Sequence, residues 1–259
     1  MVDTRSAATS ARDNSWFERV ARFGFAASGV LHILLAWIVL RLAFGLGGSA
    51  DQSGALATLS AQTGGTAMLW VAAVALAALG LWHGVEAVVE HDLKDRGKAA
   101  AVAVVHLALA FSAAKFALGS GQSSGQQNAG LSAKMMQSGW GSAVLIVVAL
   151  VIIGVGGYHV YKGATKRFLK DLDSGGGSVI TPLGIAGYVA KGLVLIGAGL
   201  LVIVATLSSD PAKASGVDAA IKTLGSMPFG KILLVLAAIG IAAYGAFNIV
   251  RSRHEDMKS

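Results

Sequence analysis

The chain has 259 residues, of which 54% are hydrophobic and 14% charged, with a formal net charge of +7 and no cysteine. Soluble globular domains carry about 25% charged residues, so the composition excludes an ordinary water-soluble domain, and the lack of cysteine excludes disulfides and thiolate metal sites. The positive charge does not point to nucleic acid, because most of it is gathered in alternate hydrophilic segments between apolar runs.

In chain order, residues 1–20 predict a cytoplasmic tail and interfacial lead-in. A polar Ser/Ala/Thr/Arg stretch is followed by WFERVARF, where Trp16, Phe17, Val20 and Phe23 recur at helical spacing. No small-residue cleavage site follows, so the first apolar run is read as a retained helix. Six runs near the ~20 residues that a bilayer core requires lie at 23–44, 68–89, 99–118, 144–161, 184–207 and 232–250. The predicted fold class is all-α: a polytopic membrane protein with six transmembrane helices as three helical hairpins. Arg5, Arg12, Arg19 and Arg22 precede the first run, and Lys94, Arg96 and Lys98 separate the second and third. Lys162, Lys166, Arg167 and Lys170 follow the fourth, and Arg251, Arg253 and Lys258 the sixth. The alternate loops are poorer, with Lys134, Lys213, Lys222 and Lys231. The positive-inside rule then puts both termini in the cytoplasm and the protein in the inner (plasma) membrane.

The hairpins repeat. VLHILLAWIVLRLAFG at 30–45 returns as VVHLALAFSAAKFALG at 104–119, laying His32 on His106, Arg41 on Lys115 and Gly45 on Gly119. GLWHGVEAVVEHDLKD lies on GGYHVYKGATKRFLKD, matching Trp82 with Tyr158, His83 with His159 and Glu86 with Lys162. In the third copy Gly187 lies on Gly24, Tyr188 on Phe25 and Gly192 on Gly29, while Lys191 takes the place of Ser28 and Leu195 that of His32. Its second helix is laid with Tyr244 in the aromatic place, Gly245 in the histidine place and Asn248 in that of Glu86. The predicted units are repeat 1 (21–96), repeat 2 (97–173), a Gly/Ser linker (174–178), repeat 3 (179–253) and a cytoplasmic tail (254–259). The first loop between hairpin helices contains ALATL, which predicts a short helical turn.

This pattern of a (R/G)-x-G-(F/Y)-A/V-A-x-G helix opening, a leucine-and-glycine loop turn and an aromatic-(H/G) helix ending resembles a bacterial membrane family. The family is the domain of unknown function number twelve-oh-six, which occurs as three tandem copies. The resemblance covers nearly everything from Ala21 to Arg253 and implies topology without an activity. The second unit departs from the opening pattern, with Lys98 and Ala103 where glycines stand, which bears on the packing of the third run.

Ionisable groups inside membrane spans are functional candidates by default. His32, His106, His83 and His159 are paired by the repeat and admit three chemistries. They can ligate a haem iron or a transition metal between helices. Together with Glu86 they can relay protons. They can also bond neighbouring backbone carbonyls as polar glue. Glu86, Lys191, Lys162 and Asn248 form a further intramembrane polar set, in which Glu86 offers an ion-pair partner to Lys191 or Lys162, and Lys162 can snorkel to the headgroups. Gly24, Gly29, Gly80, Gly84, Gly187 and Gly192 are read as helix-packing positions, with Gly80 and Gly84 as a GxxxG pair. No phosphate-loop motif and no catalytic constellation is present in the sequence. The reading is therefore a structural or accessory interaction protein whose partners are the lipid bilayer and a membrane-protein partner or homo-oligomer. The alternatives are a small channel or transporter, proton-linked through the histidines and Glu86, and a His-liganded haem or metal protein.

Overall fold

The computed structural model describes residues 14–172 and 178–254. The tail at 1–13, most of the Gly/Ser linker and the end of the C-terminal tail lie outside the described residues. Each of three units is built as long helix, short helix, long helix. The first holds α1 (Ser15–Ala43), α2 (Gln52–Ser60) and α3 (Gly65–Val89). The second holds α4 (Leu93–Ala117), α5 (Ser124–Met136) and α6 (Gly139–Ala164). The third holds α7 (Ile180–Leu207), α8 (Val217–Ser226) and α9 (Gly230–His254). All six long helices are long and apolar enough to cross a membrane, so the chain is a multi-pass membrane protein in a lipid bilayer. One face carries the start of α1 and the end of α9, and the short helices form a cap on the other.

Local chemistry sets the element ends. The Asn14 side chain accepts from the amides of Trp16 and Phe17, capping the start of α1. At the other end Gly45 adopts φ +76° and the Leu46 amide returns to the Arg41 carbonyl. Gly119 at φ +73° and the Ser120-to-Lys115 bond stop α4 in the same way. Ser209 at φ +51° does this for α7, without glycine's freedom. Asp51 caps α2 and Ser123 caps α5, while Gly216 precedes α8 at φ +86°.

The most extensive packing lies between units: α3 on α4, α6 on α7, and α9 on α1. Glycines make this possible. A Cβ on Gly29 would strike the Gly245 carbonyl at 2.6 Å, and one on Gly245 would strike that of Gly29 at 2.7 Å. Gly156 and Gly192 face each other in the same manner. Gly80 meets Leu107, just as Gly245 meets Ile33 and Gly156 meets Ile196. These equivalences correct the register of α9. Gly245 plays the part of Gly80 and Gly156, so Asn248, not Gly245, takes the histidine place, and Phe247, not Tyr244, takes the aromatic place. Trp82 and Phe247 are both 1% exposed, whereas Tyr158, at the same place in the second unit, is 47% exposed.

Within units the packing is uneven. Gly24 admits α3 at Leu79 and Ala75, and Gly187 admits α9 at Tyr244, so α1 meets α3 and α7 meets α9. In the second unit Lys98 stands at that crossing, and α4 and α6 hardly meet. A lysine cannot occupy a space that holds no Cβ, so the second hairpin stays open. Of the predicted GxxxG pair only Gly80 is at a close approach. A Cβ on Gly84 would meet nothing within 4 Å, because two crossing helices are closest over a short stretch.

Candidate functional site: a charged cavity between the units

The three cap segments are tied into one layer. The Ala50 amide donates to Asp218 Oδ1 at 2.7 Å, and the Ser124 amide donates to Ser53 Oγ at 3.0 Å. Beneath this layer lies a cavity of about 250 Å³, walled by His32 and Leu35 of α1, Lys191, Val194 and Leu195 of α7, and Ile241 and Tyr244 of α9. Its roof is polar, with Asp51, Gln52, Ser124, Asn128 and Ser215. The cavity thus lies between the first and third units and is covered by all three.

Lys191 and Tyr244 form one end. The ammonium donates to the Tyr244 hydroxyl at 3.0 Å and stands 4.1 Å from the centre of its ring, a cation–π contact of the kind strengthened by desolvation. His32 packs against the same ring, with centroids 4.8 Å apart. Asp51 stands in the roof and is 6% exposed. Its Oδ1 accepts from Ser53 Oγ at 2.5 Å and from the Gly54 amide at 2.9 Å. Its Oδ2 is buried and accepts no hydrogen bond among the described residues.

The predicted histidines fall into two arrangements. His32, His106 and His159 each donate from Nδ1 to the carbonyl one turn back, on Ser28, Val102 and Val155. A carbonyl only accepts, so in the neutral ring the Nε2 lone pair remains free. His83 differs. Its Nδ1 meets Glu86 Oε2 at 2.6 Å, and its buried Nε2 has no hydrogen-bond partner among the described residues. The rings of His83 and His106 stack at 5.5 Å and 29°, so their faces, not two nitrogens aimed at a shared iron, come together. Among the described residues no group of three His, Asp or Glu gathers as a metal site.

The remaining polar residues pair differently from the sequence expectation. Glu86 pairs with His83, not with Lys191 or Lys162. Lys162 pairs with Asp171, just beyond the end of α6, at 2.5 Å and lies over the Tyr188 ring. Arg251 lies over the Phe25 ring and 3.7 Å from Asp171. Lys162 and Arg251 therefore occupy matching places on α6 and α9, which again supports the corrected register. In the first unit the matching residue is Glu86, which pairs with His83. Asn248 donates to the Tyr244 carbonyl at 2.9 Å, the same one-turn bond that His159 makes. Asp51 and the cavity role of Tyr244 escaped the sequence reading. The available signal was an acidic residue, Asp51, in an otherwise Gly/Ser-rich cap segment at a helix N-cap.

Three comparisons bear on this architecture. Residues 23–90, 97–166 and 186–255 match the family described as Domain of Unknown Function (DUF1206). Gly80, Gly156 and Gly245 stand at the same distance from the ends of their matched segments, in agreement with the contact-based register. A protein of Bacillus subtilis (strain 168) named "Uncharacterized protein YxxB" is 26% identical over 261 residues, spanning 93% of this chain and 92% of that protein. No solved structure matches the chain. With three matched segments covering most of its length, the chain belongs to the DUF1206 family of membrane proteins.

Proposed function

We propose that the protein binds a small polar solute in the cavity between its first and third units and carries it across the cell membrane. The observation supporting this is a cavity that runs from the cap to the middle of the spans and holds one lysine and one aspartate in a largely apolar lining. Lys191 sits near the centre of a 28-residue apolar helix, and Asp51 is buried in the roof. A charge inside a bilayer costs stability unless it is compensated. A purely structural bundle would gain from an apolar side chain in place of Lys191, whereas a solute-binding protein needs the cation; Asp51 also caps α2. The termini are read as cytoplasmic, in the inner (plasma) membrane, because the basic segments lie on their side.

Because the chain lacks cysteine, single-cysteine variants report without background. In membranes open on both sides, Leu195→Cys in the cavity wall is expected to react with a small water-soluble thiol reagent, and lipid-facing Leu193→Cys to stay inert. In intact cells an impermeant reagent is expected to reach Thr63→Cys in the cap and spare Thr165→Cys on the opposite face. An inert Leu195→Cys contradicts the solute reading, and the reverse sidedness contradicts the orientation.

A further inference from the structure

We propose that the cavity takes a small zwitterion, with its ammonium at Asp51 and its carboxylate at Lys191. This rests on the solute-binding reading above and names the chemical class of the solute.

The two charged walls are opposite in sign and share one cavity. Each is held in place and each keeps unused bonding capacity. Asp51 Oδ1 is fixed by Ser53 and Gly54, which orients the carboxylate and leaves Oδ2 without a partner. An ammonium has three donors. The Lys191 ammonium gives one to Tyr244, and among the described residues no carboxylate pairs with it. Four other lysines pair with carboxylates, Lys98 with Asp95, Lys162 with Asp171, Lys213 with Asp210 and Lys222 with Asp218; Lys191 combines the lack of such a partner among the described residues with a place near the middle of an apolar helix.

A ligand of one charge would compensate one wall and leave the other alone in a low-dielectric site. A neutral ligand would compensate neither. A molecule with a cation at one end and an anion at the other answers both, and its own charges gain partners on leaving water. The volume of about 250 Å³ lies below the ~300–1,000 Å³ of drug-sized pockets, which favours a solute of amino-acid size. The polar roof residues Gln52, Ser124 and Asn128 offer hydrogen bonds around the ammonium end.

The test is calorimetric titration of the detergent-purified protein with glycine, β-alanine, γ-aminobutyrate and 5-aminovalerate, beside alkylamines and carboxylates of matching length. One chain length is expected to bind saturably, with its single-charge analogues at least tenfold weaker. Asp51→Asn keeps the capping oxygen and Lys191→Met keeps the apolar stem, so both variants are expected to fold. Each is expected to lose tenfold or more in affinity, and bound zwitterion is expected to slow labelling of Leu195→Cys. Equal binding of single-charge analogues, or undiminished binding by both variants, overturns the proposal. If no member of the series binds while Leu195→Cys remains water-reactive, the zwitterion assignment falls and the solute reading stands. If Leu195→Cys is inert, both fall.

Discussion

At the scale of single residues, glycine decides where the long helices touch. Gly29 with Gly245 and Gly192 with Gly156 bring backbone against backbone, which gains dispersion contacts where lipid offers no hydrophobic drive between helices. The atom that a side chain at Gly192 would meet is a carbonyl oxygen, which cannot rotate away. Gly192→Leu is therefore expected to destabilise the protein by ~1–3 kcal/mol or more, the usual cost of overpacking. Gly84→Ala, with nothing nearby, is expected to change stability by no more than about 0.5 kcal/mol. Thermal unfolding in mild detergent separates the two. Five of the six glycines picked out in the sequence do stand at close approaches. The register of α9 was misread because Tyr244-Gly245 imitates the aromatic-His dipeptides Trp82-His83 and Tyr158-His159. Residue type suggested one alignment and backbone contact requires another. Asp51 is the one carboxylate of its Gly/Ser-rich loop, which marks an N-cap, but its burial follows from the packing of the cap segments, which residue type does not reveal.

At the scale of elements, the six apolar runs were legible because length and hydrophobicity act locally, and each run falls on one long helix, although α1 begins eight residues before its run. The cap was only partly legible. ALATL suggested a turn where α2 forms, but the Gly/Ser/Gln composition before α5 gave no helical period. The sequence did mark the second unit as different through Lys98 and Ala103, without saying what would follow. The consequence is geometric: with Lys98 where Gly24 and Gly187 admit a partner helix, α4 and α6 stay apart. Replacing that lysine should let the second hairpin close as the other two do. In a Leu93→Cys/Thr165→Cys protein carrying spin labels, Lys98→Gly is expected to shorten the label distance measured by double electron–electron resonance. An unchanged distance would mean that Lys98 is not what holds the seam open.

At the scale of the whole molecule, three copies of one unit build a single cavity that belongs to none of them alone. Its walls come from the first and third units and its roof from all three. Lys191 takes the place of Ser28 in the third copy, and that divergence puts a cation at the centre of a bundle whose other copies offer histidines. Duplication thus supplies the scaffold, and departures from the repeat supply the chemistry. The most direct measurement is the stopped-flow re-swelling of proteoliposomes after an osmotic step with glycine or γ-aminobutyrate. A carrier predicts that vesicles containing the protein re-swell several times faster than empty ones, and that Lys191→Met returns the rate to that of empty vesicles. Wild-type vesicles as slow as empty ones, or Lys191→Met vesicles as fast as wild type, would contradict the account.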